Sequence, residues 1–209
     1  MSLPPAGPPA RSIAAAPRAR APGDWRDGAA FFWGFARHPS RVGSVAPSSR
    51  WLERRLVREA QVASAATVVE LGPGTGGTTA ALLRAMRPSA RLLAIELDPQ
   101  FHRHVARRVG DARLLLAQDS AERLEALLAA HGLGAADAIV SGIPFSTLPR
   151  PAADRVAAAV ARALRPGGRF VAYQVRTRVE DYVSPYLGPA RRDWEWINLP
   201  PVRLFTWVR

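Results

Sequence analysis

The residues equipped for chemistry in this sequence are a glycine run and three acids. The run is Glu70-Leu71-Gly72-Pro73-Gly74-Thr75-Gly76-Gly77, in which Gly72, Gly74 and Gly77 satisfy G-x-G-x-x-G while Gly72, Gly74 and Gly76 satisfy G-x-G-x-G. Glycines at such positions let a backbone pass close to a ligand, and alone they do not choose between a dinucleotide and another cofactor. The acids discriminate. Glu70 stands two residues before the first glycine, where its carboxylate would repel a pyrophosphate but attract, directly or through water, a ligand bearing an ammonium and a sulfonium. Glu96, 26 residues on in Ile95-Glu96-Leu97-Asp98, can accept both hydroxyls of an adenosine ribose. Asp119, in Gln118-Asp119-Ser120, is the candidate for the adenine edge.

These residues must be positioned by short apolar runs. Thr67–Leu71, Arg91–Ile95, Arg113–Leu116, Ala138–Val140 and Arg169–Tyr173 read as buried strands, and 78–86, 99–109, 121–131 and 150–165 read as helices between them. Five βα units in that order predict an α/β fold with a doubly wound parallel sheet. Residues 192–198 and 202–209, separated by Leu199-Pro200-Pro201, break the rhythm and predict an antiparallel hairpin at the sheet edge. Glu70, Glu96 and Asp119 then fall at three successive strand ends, where such sheets bind ligands. Glu70 or Asp119 taken singly could cap the next turn or helix. Together the three acids argue for S-adenosylmethionine.

Composition narrows the chemistry further. The 209 residues include no cysteine and no lysine, which excludes thiol catalysis, thiolate metal sites, a Schiff base and a P-loop lysine. The only histidines are His38, His102, His104 and His131, with no H-E-x-x-H, so no metal site is expected. The net charge is +12, carried entirely by arginine. Residues 1–60 hold ten arginines against four acids, half of the excess, as suits a polyanion such as nucleic acid or an anionic membrane face. The alternative is general solubility charge.

Three regions are predicted: a disordered tail over 1–23, amphipathic helices over 24–60 that bind membrane or cap the substrate, and a catalytic domain over 61–209. The first is rich in proline among Ala, Gly and Ser. In the second, Trp25, Ala29, Phe32, Trp33 and Ala36 recur at helical spacing with Arg26, Arg37, His38 and Arg41 beside them. After Pro47-Ser48-Ser49, Leu52, Leu56 and Ala60 form a second apolar line beside Arg50, Arg54, Arg55 and Arg58. Such helices either pack on the domain with their arginines wet or lie in a membrane interface. No apolar run approaches the ~20 residues that span a bilayer, so a soluble or peripheral, cytosolic protein is expected.

The segment from Glu70 through Leu164-Arg165-Pro166-Gly167-Gly168-Arg169-Phe170 resembles the class I (Rossmann-like) S-adenosylmethionine-dependent methyltransferases. That likeness implies their seven-stranded sheet with an antiparallel last strand, and S-adenosylhomocysteine as product. Two acceptor classes are similar. Glu70–Gly76 and Ile95-Glu96-Leu97-Asp98 look like the rRNA adenine dimethyltransferases, whose loop after strand four begins with Asn or Asp; here the aligned loop is Gly142-Ile143-Pro144-Phe145. Without that polar residue a flipped adenine would leave its amino group unpaired. Phe31-Phe32-Trp33-Gly34-Phe35-Ala36-Arg37-His38-Pro39, Val42-Gly43-Ser44-Val45-Ala46-Pro47-Ser48-Ser49, Ser141–Phe145 and Asn198-Leu199-Pro200-Pro201 together resemble the short bacterial phospholipid N-methyltransferases, which convert phosphatidylethanolamine stepwise to phosphatidylcholine.

Carried onto this sequence, these resemblances imply cofactor contacts from Ser44, Val45, Glu70, Gly72, Gly74, Thr75, Gly76, Glu96, Leu97, Asp119, Ser120 and Ser141. Gly43, Ser44 and Val45 would fold over the cofactor. On the acceptor side stand Trp33, Arg37, Arg41, Gly142 and Phe145, with Arg37 and Arg41 for the lipid phosphate and Phe145, Tyr173 and Trp33 as walls for a quaternary ammonium. An ethanolamine ammonium, with an ordinary pKa of about 10, must lose a proton first. Tyr173, His38 and the lipid's own phosphate are the candidate bases. The expected partners are a phospholipid and an anionic membrane surface, with no nucleic acid, at the inner face of the cytoplasmic membrane.

Overall fold

A computed structural model describes residues 49–198 and 201–209. The expected tail, the helix through Trp25 and Ala36, and the candidates Trp33, Arg37, His38, Arg41, Ser44 and Val45 lie outside the described residues. Seven strands form one sheet: β1 (Thr67–Leu71), β2 (Arg91–Ile95), β3 (Leu114–Ala117), β4 (Ala136–Ser141), β5 (Leu164–Gln174), β6 (Arg191–Glu195) and β7 (Val202–Val208). Their spatial order is β3-β2-β1-β4-β5-β7-β6. Strands β1 to β5 are parallel, and β7 pairs antiparallel with both β5 and β6. The expected terminal hairpin is present: β6 and β7 pair antiparallel, with β7 beside β5 and β6 at the sheet edge. The chain winds outward in both directions from the β1/β4 boundary, the switch point where a ligand crevice opens in such sheets.

Helices cover both faces, which is why the central strands are almost continuously apolar. On one face α1 (Arg50–Glu59) and α2 (Gly77–Ala85) bury Leu52, Leu56, Leu82 and Leu83 against Val68, Leu92, Val140, Val171 and Leu204. On the other, α5 (Arg150–Ala163) and α6 (Val179–Leu187) bury Val156, Val160, Val179 and Val183 against Val69, Leu93, Ile139, Phe170, Phe205 and Trp207. Two further helices, α3 (Pro99–Arg108) and α4 (Leu124–Ala130), complete the crossovers.

Helix α1 answers the alternative left open for residues 50–60. Ser49 caps it by accepting from the Leu52 N–H at 3.2 Å, and Leu52 and Leu56 are core residues. Its polar side is tied to the sheet edge: Arg55 donates to the Trp194 carbonyl at 2.6 Å and pairs with Asp193, while Glu59 pairs with Arg191. The apolar line of α1 is therefore spent on the domain and not on a membrane.

Three boundaries differ from expectation. Helix α6 arises from Val179, Tyr182 and Val183 at i, i+3, i+4, a pattern interrupted by Pro185 and closed by Gly188 at φ +78°. The expected helix 121–131 is a 3₁₀ turn, Ala121–Arg123, followed by α4. Strand β5 begins at Leu164, because Gly167 N–H donates to the Arg209 carbonyl at 2.7 Å and Arg209 N–H to Gly168 at 3.0 Å.

Candidate functional site

Parallel registration brings the predicted residues to one edge. Ala117, Ile95, Leu71, Ser141 and Ala172 lie side by side across β3, β2, β1, β4 and β5. The segments that follow carry Asp119 and Ser120, Glu96 and Leu97, the glycine run, Gly142, and Tyr173. The backbone resolves the glycine ambiguity. Gly72, Gly74 and Gly76 have φ of +74°, +55° and +82°, whereas Gly77 opens α2 with ordinary helical backbone. G-x-G-x-G is the working motif. A Cβ on Gly74 would meet nothing within 4 Å, so the backbone there borders open space that a ligand can approach.

Glu70 is buried at the end of β1 beneath this loop. Its Oε2 accepts from Thr79 Oγ1 at 2.7 Å, and its Oε1 is buried with no protein partner. Burial pushes the Glu70 carboxyl up to about 8; the Thr79 hydroxyl opposes the shift and the nearby Glu96 adds to it. An orphaned carboxylate oxygen of this kind fits a cationic ligand. Glu96, also buried, accepts from Gly74 N–H at 3.1 Å and from Asp98 N–H at 2.9 Å. Burial raises its pKa against those hydrogen bonds. Glu96 thus pins the glycine loop to the end of β2 while each oxygen keeps lone-pair capacity for ribose hydroxyls.

The remaining expected cofactor residues divide. Asp119 accepts from Ser120 N–H at 2.7 Å and pairs with the exposed Arg123 at 2.8 Å; Ser120 is the residue that caps the following turn, accepting from Glu122 N–H at 3.2 Å. Leu97 is half-buried beside Glu96, and Thr75 is exposed at the loop tip. Ser141 is fully buried, and its hydroxyl accepts from Ile143 N–H at 3.3 Å, shaping the loop after β4.

That loop holds the most specific contact of the site. A Cβ on Gly142 would lie 2.5 Å from Tyr173 Oη and 3.0 Å from the Gly72 carbonyl oxygen. The half-buried Tyr173 hydroxyl therefore fills the space a side chain at 142 would need, and any Cβ there displaces the phenol. Phe145 departs from expectation. Its side chain is completely buried, with its ring centroid 6.3 Å from that of Tyr182, so it is core beneath the loop and not a wall facing an acceptor. Sequence reasoning missed two residues. Thr79 holds Glu70, and buried Gln174 clamps the loop by donating to the Ile143 carbonyl at 2.6 Å and accepting from Phe145 N–H at 3.3 Å. Their only signal was position, one in the first turns of α2 and one next to Tyr173. Among the described residues no group of three or more His, Asp or Glu is placed to hold a metal.

The family profile described as "Methyltransferase domain" matches residues 68–168. The ornithine lipid N-methyltransferase of Singulisphaera acidiphila is 33% identical over 141 residues, covering 67% of this chain and 73% of that protein. The ribosomal RNA small subunit methyltransferase A of Caulobacter vibrioides is 40% identical over 95 residues, 44% of this chain but 34% of that protein. Among solved structures, the O-methyltransferase TomG from Streptomyces achromogenes, in complex with S-adenosylmethionine, superposes with a TM-score of 0.63 at 17% identity, covering 86% of this chain and 89% of that one. The chain belongs to the class I S-adenosylmethionine-dependent methyltransferases. Its cofactor is S-adenosylmethionine, and Glu70, Gly74 and Glu96 form a site that fits it.

Proposed function

We propose that this enzyme N-methylates phosphatidylethanolamine stepwise towards phosphatidylcholine, working from the inner face of the cytoplasmic membrane. The observation that carries the reading is Tyr173 over Gly142. The rRNA adenine dimethyltransferases that the cofactor motifs resemble begin this loop with Asn or Asp; here the position is Gly142, which has no side chain of its own to accept from an adenine amino group. The lipid N-methyltransferase relative, matched over most of its length, supports the same choice.

S-adenosylmethionine, when bound, supplies an electrophilic methyl on a sulfonium and leaves as S-adenosylhomocysteine. The protein's own residues do the rest. Glu70 and Glu96 orient the cofactor from below the glycine loop. Tyr173 stands at the end of β5, beside the loop that Gln174 and Ser141 hold in shape. A water-poor acceptor site there would favour the neutral amine over the ammonium, which frees the nitrogen lone pair for in-line attack. Tyr173 Oη, His38 or the lipid phosphate takes the proton released at each step. As methyls accumulate, the Tyr173 ring offers an aromatic face to the quaternary product.

Incubation of the full chain with S-adenosylmethionine and dispersed phosphatidylethanolamine, analysed by mass spectrometry, tests this directly. Mono-, di- and trimethylated headgroups are the expected products. Methylation of an ornithine lipid alone, supplied in parallel, would move the acceptor to another lipid amine. Methylation of neither lipid would refute the reading.

A further inference from the structure

We infer that the rim formed by the end of β6, the following turn and the start of α1 is a docking surface for an anionic phospholipid bilayer. This rests on the lipid reading above and specifies where that reading meets the membrane. Among the described residues six large apolar side chains are exposed; three of them, Trp51, Trp196 and Ile197, lie on these segments, and Val175, just after β5, is tied in by the Arg203 guanidinium, which donates to its carbonyl at 3.1 Å. Trp196 and Ile197 are the most exposed, at 67% and 62%. Single exposed apolar residues are commonplace; a cluster is not.

The cluster is held rigidly. Ser49 N–H donates to Asn198 Oδ1 at 3.1 Å, joining the cap of α1 to the turn after β6. Trp194 and Trp196 stack with centroids 4.6 Å apart. The Arg203 guanidinium lies 4.2 Å from the centroid of the Trp194 ring, and that of Arg54 lies 5.5 Å from the Trp51 ring. Aromatic side chains with arginines alongside are what an interface with anionic headgroups selects. The local acids do not oppose this. Asp193 and Glu195 are drawn to Arg55, and Glu53 lies 3.4 Å from Arg84, which leaves Arg50 and Arg54 exposed, while half-buried Arg203 donates to the Val175 carbonyl at 3.1 Å.

The position suits the chemistry. Tyr173 and Asp193 both pair with Leu204, so β6 stands two strand spacings, about 10 Å, from Tyr173 on the carboxyl edge of the sheet. A lipid headgroup could then reach the site without leaving its leaflet. Single-stranded RNA would need free aromatic faces for stacking. Trp51 and Trp196 do present exposed rings, but Trp194 is covered by Trp196 and Arg203, and the exposed Ile197 and Val175 suit hydrocarbon and offer a base nothing.

The test compares the full chain with the double variant Trp196→Ala, Ile197→Asp on vesicles of phosphatidylglycerol and phosphatidylethanolamine and, separately, on short-chain phosphatidylethanolamine below its micellar concentration. Vesicle binding by cosedimentation should fall about tenfold or more, and vesicle methylation with it, while turnover of the monomeric lipid and cofactor affinity stay within about twofold. Vesicle binding equal to that of the parent chain would overturn the surface, as would an equal loss on monomeric lipid. Loss of binding to labelled RNA with unchanged vesicle binding would assign the rim to nucleic acid and overturn it too. If the parent chain methylates no lipid in either form, the proposed function fails, and the vesicle-binding comparison still decides the docking surface.

Discussion

Binding of S-adenosylmethionine is predicted to expel a proton, and the group that loses it is Glu70. In the ligand-free protein burial holds this carboxyl at about 8. At pH 6.5 it then carries about 0.97 of a proton. A cation delivered to the orphaned Oε1 favours the ionised form and returns the group towards its ordinary value of 4.5, where it carries about 0.01. The difference is close to one proton released per cofactor bound. The cofactor's own α-ammonium, with an ordinary pKa of about 7.7–8.0, is already charged at pH 6.5 and takes up little. Calorimetric titration in two buffers of different ionisation enthalpy counts the protons. The parent chain should release about one more than Glu70→Gln, and its affinity should rise as pH increases from 6 to about 7.5, before the cofactor's own ammonium begins to lose its proton. Equal proton counts in parent and variant, or an affinity independent of pH across that range, would refute the assignment. The same linkage acts on folding. A raised carboxyl binds more protons folded than unfolded, so ligand-free stability should fall as pH rises from about 4.5 to 8, and Glu70→Gln should lessen that fall.

Glu96→Ala removes the acceptor for a ribose and for the Gly74 and Asp98 N–H groups; calorimetry should show cofactor affinity at least about a hundredfold weaker, near 3 kcal/mol. Gly142→Ala forces a Cβ to 2.5 Å from Tyr173 Oη, so methyl transfer should drop by at least about tenfold while cofactor affinity changes little. Leu56→Ala, in α1, should cost about 2–5 kcal/mol by denaturant unfolding, since that side chain is fully buried; a cost under about 0.5 kcal/mol would show α1 to be peripheral.

The place of the candidate cofactor site was legible in the sequence because strand ends and glycines obey local rules. Glu70, Gly72, Gly74 and Glu96 each follow an apolar run, and a parallel sheet must bring such ends to one edge. Which glycines took positive φ was not legible, because both spacings satisfy the same conformational demand until α2 fixes its first residue. Phe145 was misjudged for a related reason: in a loop after a strand an aromatic can face a ligand or the core, and only the packing of α6 decides. That helix itself was hidden by Pro185 within it. Thr79 and Gln174 are ordinary residues in ordinary elements whose roles exist only through tertiary contact with Glu70 and the Ile143 loop. The contact of Tyr173 with Gly142 lies in the same class, since it joins residues from β5 and the loop after β4.

The central claim is that the acceptor is a lipid amine and not an RNA base. Transfer of radiolabelled methyl from S-adenosylmethionine, run in parallel on total lipid and total RNA with the lipids resolved by chromatography, tests it most directly. Label in mono-, di- and trimethylated ethanolamine lipids and none in RNA is the predicted result. Label in RNA with none in lipid would contradict it.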